Sequence, residues 1–126
     1  MLFVNASDGA VGQIATTATA TSYVTSSSGE LKEDLKSFDA GNIVDDTNVY
    51  DFAWKKTGER SYGVIAQQAI DIYPTAVTHT EKSEAGDEFW GVDYSKYVPV
   101  LLQELKALRA RVLELEGRVG VDVQPA

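Results

Sequence analysis

Apolar side chains recur at a regular spacing towards the C-terminal end of the chain. They are separated alternately by three and four positions, which is the a/d heptad pattern of a coiled coil. We call these positions the seam: Val98, Leu101, Leu105, Leu108, Val112, Leu115 and Val119. The pattern predicts a helix over about 93–119, with a kink or a later start at Pro99. The alternative is an amphipathic helix that packs its apolar face on its own domain.

Charged residues beside the seam indicate how such helices would pair. With Leu105 at position a, position g carries Glu104 and Arg111, and position e carries Arg109 and Glu116. In a parallel coiled coil, g of one chain faces the following e of its neighbour, so both pairs combine opposite charges. We therefore expect parallel helices. Mixed Leu and Val at position a leaves the number of chains open.

The first 28 residues are nearly free of charge and rich in Thr, Ala, Ser and Gly. The alternation over 17–21 predicts a strand whose small side chains cannot form a core alone. The segment is therefore either a flexible linker or the C-terminal end of a β-structured fibre. Because the composition changes at Ser26–Gly29, we place a boundary between a fibre end, 1–26, and a second domain, 27–126.

Between this boundary and the long helix, the pattern predicts a small mixed unit, so the fold class is α+β. Helices are predicted over 30–38 and 66–73, and 39–47 is a loop with a single helical turn as an alternative. Two hairpins are predicted, from 49–54 with 61–65 and from 77–79 with 88–92. The side chains expected to be buried are Leu31, Leu35, Phe38, Trp54, Ile65, Ile70 and Tyr73.

Composition excludes several classes of function. The net charge is −8, and residues 27–93 carry fourteen acidic against six basic side chains, which disfavours binding to a nucleic acid backbone. The chain has no cysteine, so disulfides and thiolate metal sites are excluded. No apolar run approaches the roughly 18 residues of a membrane span. We expect no metal site, no cofactor and no membrane partner.

Short motifs in a fixed order resemble a known family. The chain reads Ser27-Ser28-Gly29-Glu30-Leu31-Lys32, later Gly63-Val64-Ile65-Ala66-Gln67, and then Pro74 and Tyr94 before the heptads. Over 27–119 this order resembles the C-terminal intramolecular chaperone domain of bacteriophage tail fibres, neck appendages and endosialidase tailspikes. Members of that family are regarded as self-cleaving peptidases.

The resemblance implies a function and a site. The domain would form a homotrimer, assist folding of the parent fibre in the same chain, and then be released by hydrolysis between Ser26 and Ser27. Ser27 would be the nucleophile and Lys32 its base. Assembly would take place in the host cytoplasm, and the cleaved domain would be absent from the mature virion.

Two departures from the family pattern leave the chemistry open. Ser28 stands where the family usually has Asp, and Ser61 stands where many members have His. Ser27 could instead be one of three serines that cap a helix, with Lys32 an ordinary solvated residue. Ser7-Asp8 is a second serine–acid pair, but no Leu-Lys helix follows it.

Two other functions remain as alternatives. A trimerisation module without cleavage would need only the heptads. A receptor-binding fibre tip would use exposed aromatic residues, for which Phe89, Trp90 and Tyr94 are the candidates. The identity of the parent fibre and its receptor does not follow from the sequence.

Overall fold

The computed structural model describes residues 1–5 and 9–119, which divide into two compact units. The first unit covers 1–37 and the second begins at Phe38. The Ser7-Asp8 pair and the last seven residues of the predicted second domain lie outside the described residues. Several small antiparallel strands and a long C-terminal helix confirm the α+β class.

The first unit is built on a three-stranded antiparallel sheet. Its strands β1 (Leu2–Asn5), β2 (Gly9–Thr16) and β3 (Thr21–Thr25) pair in the order β1-β2-β3. Several apolar side chains of this sheet remain exposed: Leu2, Phe3, Val4, Tyr23 and Val24. A sheet of this size with its apolar side chains in water is marginal by itself.

The predicted strand over 17–21 is wrong for its first four residues, which form the turn between β2 and β3. The Thr17 hydroxyl accepts hydrogen bonds from the N–H groups of Thr19 and Ala20 at 3.3 and 3.1 Å. The Thr17 N–H donates to the Ala20 carbonyl at 2.8 Å. A threonine that binds its own following backbone favours a turn over a strand, although its alternation pattern is that of a strand.

The predicted helix over 30–38 is also wrong. Only a single 3₁₀ turn forms, Gly29–Leu31, and Lys32 is already extended with φ −119° and ψ 138°. Asp34 then adopts a positive φ of 52°, which a helix cannot contain. Leu31 and Leu35 are exposed, so no apolar face holds this segment in a helix.

Over its described residues, 38–119, the second unit contains three α-helices and two hairpins. In chain order the elements are α1 (Gly41–Asp46), β4 (Tyr50–Ala53), β5 (Arg60–Gly63), α2 (Ala66–Ile72), β6 (Val77–Thr80), β7 (Phe89–Val92) and α3 (Tyr97–Val119). Strands β4 and β5 form one antiparallel pair, and β6 and β7 form the other. Both predicted hairpins and the helix stopped before Pro74 are confirmed, and the helical turn in 39–47 is α1.

The core of this unit is made of small side chains. The buried apolar residues are Ala40, Ala66, Ala69, Ala76 and Val100. Of the side chains expected to be buried, Ile70 and Tyr73 are half-buried. The other five are exposed, and that prediction is wrong: Leu31, Leu35, Phe38, Trp54 and Ile65. Apolar spacing identifies residues that share a face, but it does not show whether another element covers that face.

Helix α3 packs on its own unit with the side opposite to the seam. Val100 is buried, and the Gln103 side-chain amide donates to the Phe38 carbonyl at 3.0 Å. Every seam residue is exposed, by 46 to 75%. The alternative in which the apolar face of this helix packs on its own domain is therefore wrong.

The start of α3 follows from its local sequence. A 3₁₀ turn, Tyr94–Lys96, precedes it, and the Asp93 carboxylate caps that turn by accepting from the Ser95 N–H at 3.0 Å. Pro99 lies in the first turn of α3, where no intrahelical donor is required. The later start is thus confirmed. None of the described helices is long and apolar enough to cross a membrane.

Gly63 allows close packing of Tyr94. A Cβ placed on Gly63 would lie 2.5 Å from the Tyr94 hydroxyl and 3.2 Å from the Phe52 ring. The same hydroxyl accepts a hydrogen bond from the Val64 N–H at 3.0 Å. Tyr94 thereby connects the entry to α3 with the end of β5, and only glycine leaves room for it.

We therefore predict that Gly63→Ala lowers the free energy of unfolding by about 1–3 kcal/mol because the added methyl group displaces Tyr94. Gly117→Ala is the matched control, since nothing lies within 4 Å of its added Cβ and alanine favours the helix. Chemical denaturation of both variants measures the effect. Equal stability of Gly63→Ala and the parent chain would contradict this packing.

Tyr97 has a buried hydroxyl without a partner. Within the described residues its oxygen makes no hydrogen bond, while its ring packs edge-on against Tyr73 at 5.4 Å. Burial, and secondarily the neighbouring Tyr94 and Tyr73, raise the pKa of Tyr97. The folded chain thus keeps this phenol protonated to higher pH than the unfolded chain. The stability that depends on the protonated phenol is fully present below the pKa of Tyr97 in the unfolded chain. It is lost as the pH rises through the higher pKa of Tyr97 in the folded chain.

Tyr97→Phe should raise the free energy of unfolding at neutral pH by about 1 kcal/mol, because it removes an unsatisfied polar group and keeps the ring. The advantage of the variant should grow above pH 10, where the unfolded parent chain ionises. Denaturant titrations at pH 7 and pH 10.5 test both parts. A destabilised variant would mean that the hydroxyl has a binding partner in solution.

Candidate functional site

The structure brings Ser27 and Lys32 together in the first unit. The Lys32 Nζ donates to the Ser27 Oγ at 2.6 Å and to the Ser27 carbonyl oxygen at 3.2 Å. Both residues are exposed to solvent in the single chain. The family resemblance implied these two residues, and the geometry places the Lys32 Nζ and the Ser27 Oγ in direct hydrogen-bond contact.

The local backbone explains this contact. Strand β3 ends at Thr25, and the Ser26 N–H donates to the Val11 carbonyl at 3.0 Å, which anchors the chain just before Ser27. A 3₁₀ turn follows and reverses the chain within three residues. Because Lys32 leaves that turn in an extended conformation, its side chain can reach back to Ser27.

Ser28 caps the turn. Its hydroxyl accepts a hydrogen bond from the Glu30 N–H at 3.2 Å, and its carbonyl accepts from the Leu31 N–H at 3.2 Å. The capping function proposed for the serine run therefore belongs to Ser28, which leaves the Ser27 hydroxyl for Lys32. An aspartate at position 28 could accept the same hydrogen bond, since Asp and Ser are both good cap residues.

The pair has the composition of a serine–lysine catalytic dyad. A serine hydroxyl becomes a strong nucleophile when a base removes its proton, and a neutral lysine amine can serve as that base. Desolvation favours the neutral amine. None of the residues that the structure describes supplies such a covering, because Ser27 and Lys32 are both exposed.

The remaining motif positions lie in the second unit. Ser61 is in β5, opposite Phe52 of β4. Gly63 is the packing site under Tyr94, Ala66 begins α2 and is buried, and Gln67 is exposed on α2. Pro74 begins the 3₁₀ turn that follows α2. The geometry gives Gly63, Ala66 and Pro74 structural functions, namely close packing, core formation and helix termination.

His79 lies in the β6–β7 hairpin, as predicted, but it is not a free imidazole. Its ring stacks on Trp90 with centroids 3.7 Å apart, and its Nε2 lies 2.9 Å from Glu88 Oε1. The Trp90 Nε1 donates to the same Glu88 oxygen at 3.0 Å. Hydrogen bonds from His79 and Trp90 lower the pKa of the Glu88 carboxyl. These contacts hold the two strands of the hairpin together.

The aromatic candidates for receptor binding differ in exposure. Phe89 and Tyr94 are exposed, whereas Trp90 is half-buried against His79. Tyr94 nevertheless has a structural function through Gly63 and Val64. The described residues contain no group of three or more side chains arranged to hold a metal ion.

One feature of the second unit was not anticipated from the sequence. An apolar cavity of about 290 Å³ lies between α1, β5 and the start of α3. Its lining includes Ile43, Val44, Val49, Tyr97, Val100 and Leu101. Its walls come from segments that are far apart in sequence, and the motif residues Gly63, Val64 and Tyr94 also line it.

Comparison with known proteins finds a family similar to the first part of the predicted second domain. Residues 27–78 match the family model described as chaperone of endosialidase. The match begins at Ser27 and confirms the resemblance to the C-terminal intramolecular chaperone domain of phage tail proteins. It is shorter than the 27–119 stretch over which the motifs were recognised and leaves out α3. A search of curated proteins finds no match.

Proposed function

We propose that this chain, with its match to the chaperone-of-endosialidase family over residues 27–78, is an intramolecular chaperone that assembles three copies of a phage fibre and is then cut off. The parent fibre is the partner in the same chain, and residues 1–26 are its C-terminal end. Assembly precedes release and takes place in the host cytoplasm. Once cleaved, the chaperone domain is absent from the mature virion.

The exposed seam carries the assembly part of this proposal. The 23-residue helix α3 carries a row of seven solvent-exposed apolar side chains, and a contiguous apolar face of this kind is typical of a surface that another chain covers. The charges beside it favour parallel partners, which would align the three chain ends. Linking the fibre strands in this way replaces a bimolecular encounter with an effective concentration on the order of millimolar.

The proposed assembly would stabilise the β1–β3 sheet of the fibre end. The β1–β3 sheet exposes apolar side chains and needs further strands to become stable. Pairing strands from separate chains is slow, because the entropy of bringing them together is lost before contacts form. A C-terminal clamp lowers this cost. Removing the clamp afterwards leaves a product that is trapped kinetically.

Release is a hydrolysis at the Ser26–Ser27 peptide bond. The Ser27 Oγ attacks the Ser26 carbonyl carbon while neutral Lys32 accepts the hydroxyl proton. The carbon–nitrogen bond then breaks, the proton passes to the Ser27 nitrogen, and the Ser26 carbonyl is held as an ester on Oγ. Water hydrolyses the ester, which frees the Ser26 carboxylate and restores the Ser27 hydroxyl.

The 2.6 Å contact between Lys32 Nζ and Ser27 Oγ is the observation that supports this chemistry. Base and nucleophile are already within proton-transfer distance. A trimerisation module without cleavage is the second candidate, because the pair is exposed in the single chain and Ser28 replaces the usual Asp. The two candidates share the seam and differ only at the Ser26–Ser27 bond.

We predict that the Leu105→Asp/Leu108→Asp double variant no longer forms the trimer. Assembly would bury the two introduced carboxylates of each chain in the seam without a charge partner. This burial costs on the order of several kcal/mol per assembly. Multi-angle light scattering measures the mass directly. Leu113→Asp is the control, since it adds the same charge at a heptad b position beside the same turns. An unchanged trimer in the double variant would exclude the seam as the organiser.

A second prediction concerns the cut. In the active chain, hydrolysis yields fragments 1–26 and 27–126, visible by intact mass measurement. Ser27→Ala should abolish cleavage, and Lys32→Ala should slow it by at least about a hundredfold, because a positioned base typically contributes that much. Both variants should still form trimers, because the seam is unchanged.

Ser28→Asp distinguishes a disabled chaperone from a simple clamp. If the parent chain stays intact and Ser28→Asp cleaves before Ser27, the serine–lysine chemistry holds and the residue at position 28 controls it. Ser28→Asn preserves the cap without the charge and is the matched control. Intact, correctly assembled trimers of both the parent chain and Ser28→Asp would leave the non-cleaving module as the function.

A further inference from the structure

The cavity beside the start of α3 lies next to the seam. Leu101 belongs to both, and Tyr97 forms part of the cavity wall. The cavity walls are almost entirely apolar, so water inside it would find few hydrogen-bond partners. An apolar side chain from another molecule is the occupant that such walls favour.

The heptad register specifies which side chain a neighbouring copy presents here. With Val98 at position a, Tyr97 is at g and Leu102 is at e. In a parallel coiled coil, Tyr97 therefore faces Leu102 of the next chain. In the following two heptads the same relation pairs Glu104 with Arg109 and Arg111 with Glu116.

Leu102 departs from the pattern of its own helix. The other e positions, Arg109 and Glu116, are charged, whereas Leu102 is apolar and 62% exposed in the single chain. An apolar residue at position e is therefore found only where the facing g residue, Tyr97, lines an apolar cavity. The coincidence of an apolar e residue with an apolar g wall is specific to this end of α3.

We infer that Leu102 of one copy inserts at the Tyr97 wall of this cavity in the next copy, and that this contact fixes the axial register of the coiled coil. The inference rests on the proposed parallel assembly and specifies its first layer. A slip by one heptad would bring Arg109 to the apolar cavity, where a charge without a partner is strongly disfavoured. In a threefold ring, each copy gives one leucine and receives one.

Crosslinking between introduced cysteines tests this contact. Because the chain has no cysteine of its own, only the introduced ones can react. A size-tagged Tyr97→Cys chain is assembled with an untagged Leu102→Cys chain and treated with a short bis-maleimide. The expected product is a crosslink between one tagged and one untagged chain. Tyr97→Cys mixed with Leu113→Cys is the negative control, and Leu105→Cys alone reports whether the seam forms in parallel.

The outcomes separate this inference from the proposed assembly. Crosslinking of Leu105→Cys without the Tyr97–Leu102 product would overturn the inference and leave the parallel coiled coil intact. Failure of both would reject the parallel assembly and the inference together.

A second measurement tests the energetic part. Leu102→Ala should raise the chain concentration needed for half-assembly by at least about tenfold, as expected for losing a covered leucine. Leu113→Ala removes a similarly exposed leucine, at 50%, from a heptad b position and should leave that concentration unchanged. Equal effects of the two substitutions would show that Leu102 has no special partner.

Discussion

The two-sided packing of α3 is the constraint on which the rest of this structure depends. One side of the helix lies on its own unit, through buried Val100 and the hydrogen bond from Gln103 to the Phe38 carbonyl. The opposite side carries the whole seam and faces solvent. Because the first side anchors the helix, the second is held in a defined orientation on the small unit that carries the family motifs. A flexible helix with the same heptads would lack that orientation.

The part of the second unit that precedes α3 has a small core, which packs against the start of that helix. The core of the second unit consists of four alanines and one valine, and these small side chains let the backbone segments pack close together. Gly63 under Tyr94 is the clearest example, since the missing Cβ lets the entry to α3 contact the end of β5. Larger apolar residues lie outside this core and remain in water, as do those of the β1–β3 sheet. Exposed apolar patches of this kind mark interaction surfaces in other proteins, and the proposed assembly would cover them.

The contact between Ser27 and Lys32 depends on an interruption of regular secondary structure. Had 30–38 formed the predicted helix, Lys32 would have lain within its first turns. The actual chain makes one 3₁₀ turn and becomes extended at Lys32, so the amine can return to the Ser27 hydroxyl. The capping hydrogen bond of Ser28 stabilises that turn. The same serine run therefore supplies both a cap, through Ser28, and a hydroxyl that contacts Lys32, through Ser27.

The choice of Ser27 and Lys32 as the site rests on the family resemblance and stays a prediction. Local features of the sequence determined the long helix, the helix ended before Pro74 and both hairpins of the second unit. These depend on periodicity, on proline geometry and on short motifs, all of which act over a few residues. The tertiary structure alone decided which apolar faces are covered, because burial depends on distant segments meeting. For that reason the exposure of Leu31 and Trp54 and the cavity beside Tyr97 could not be read from spacing.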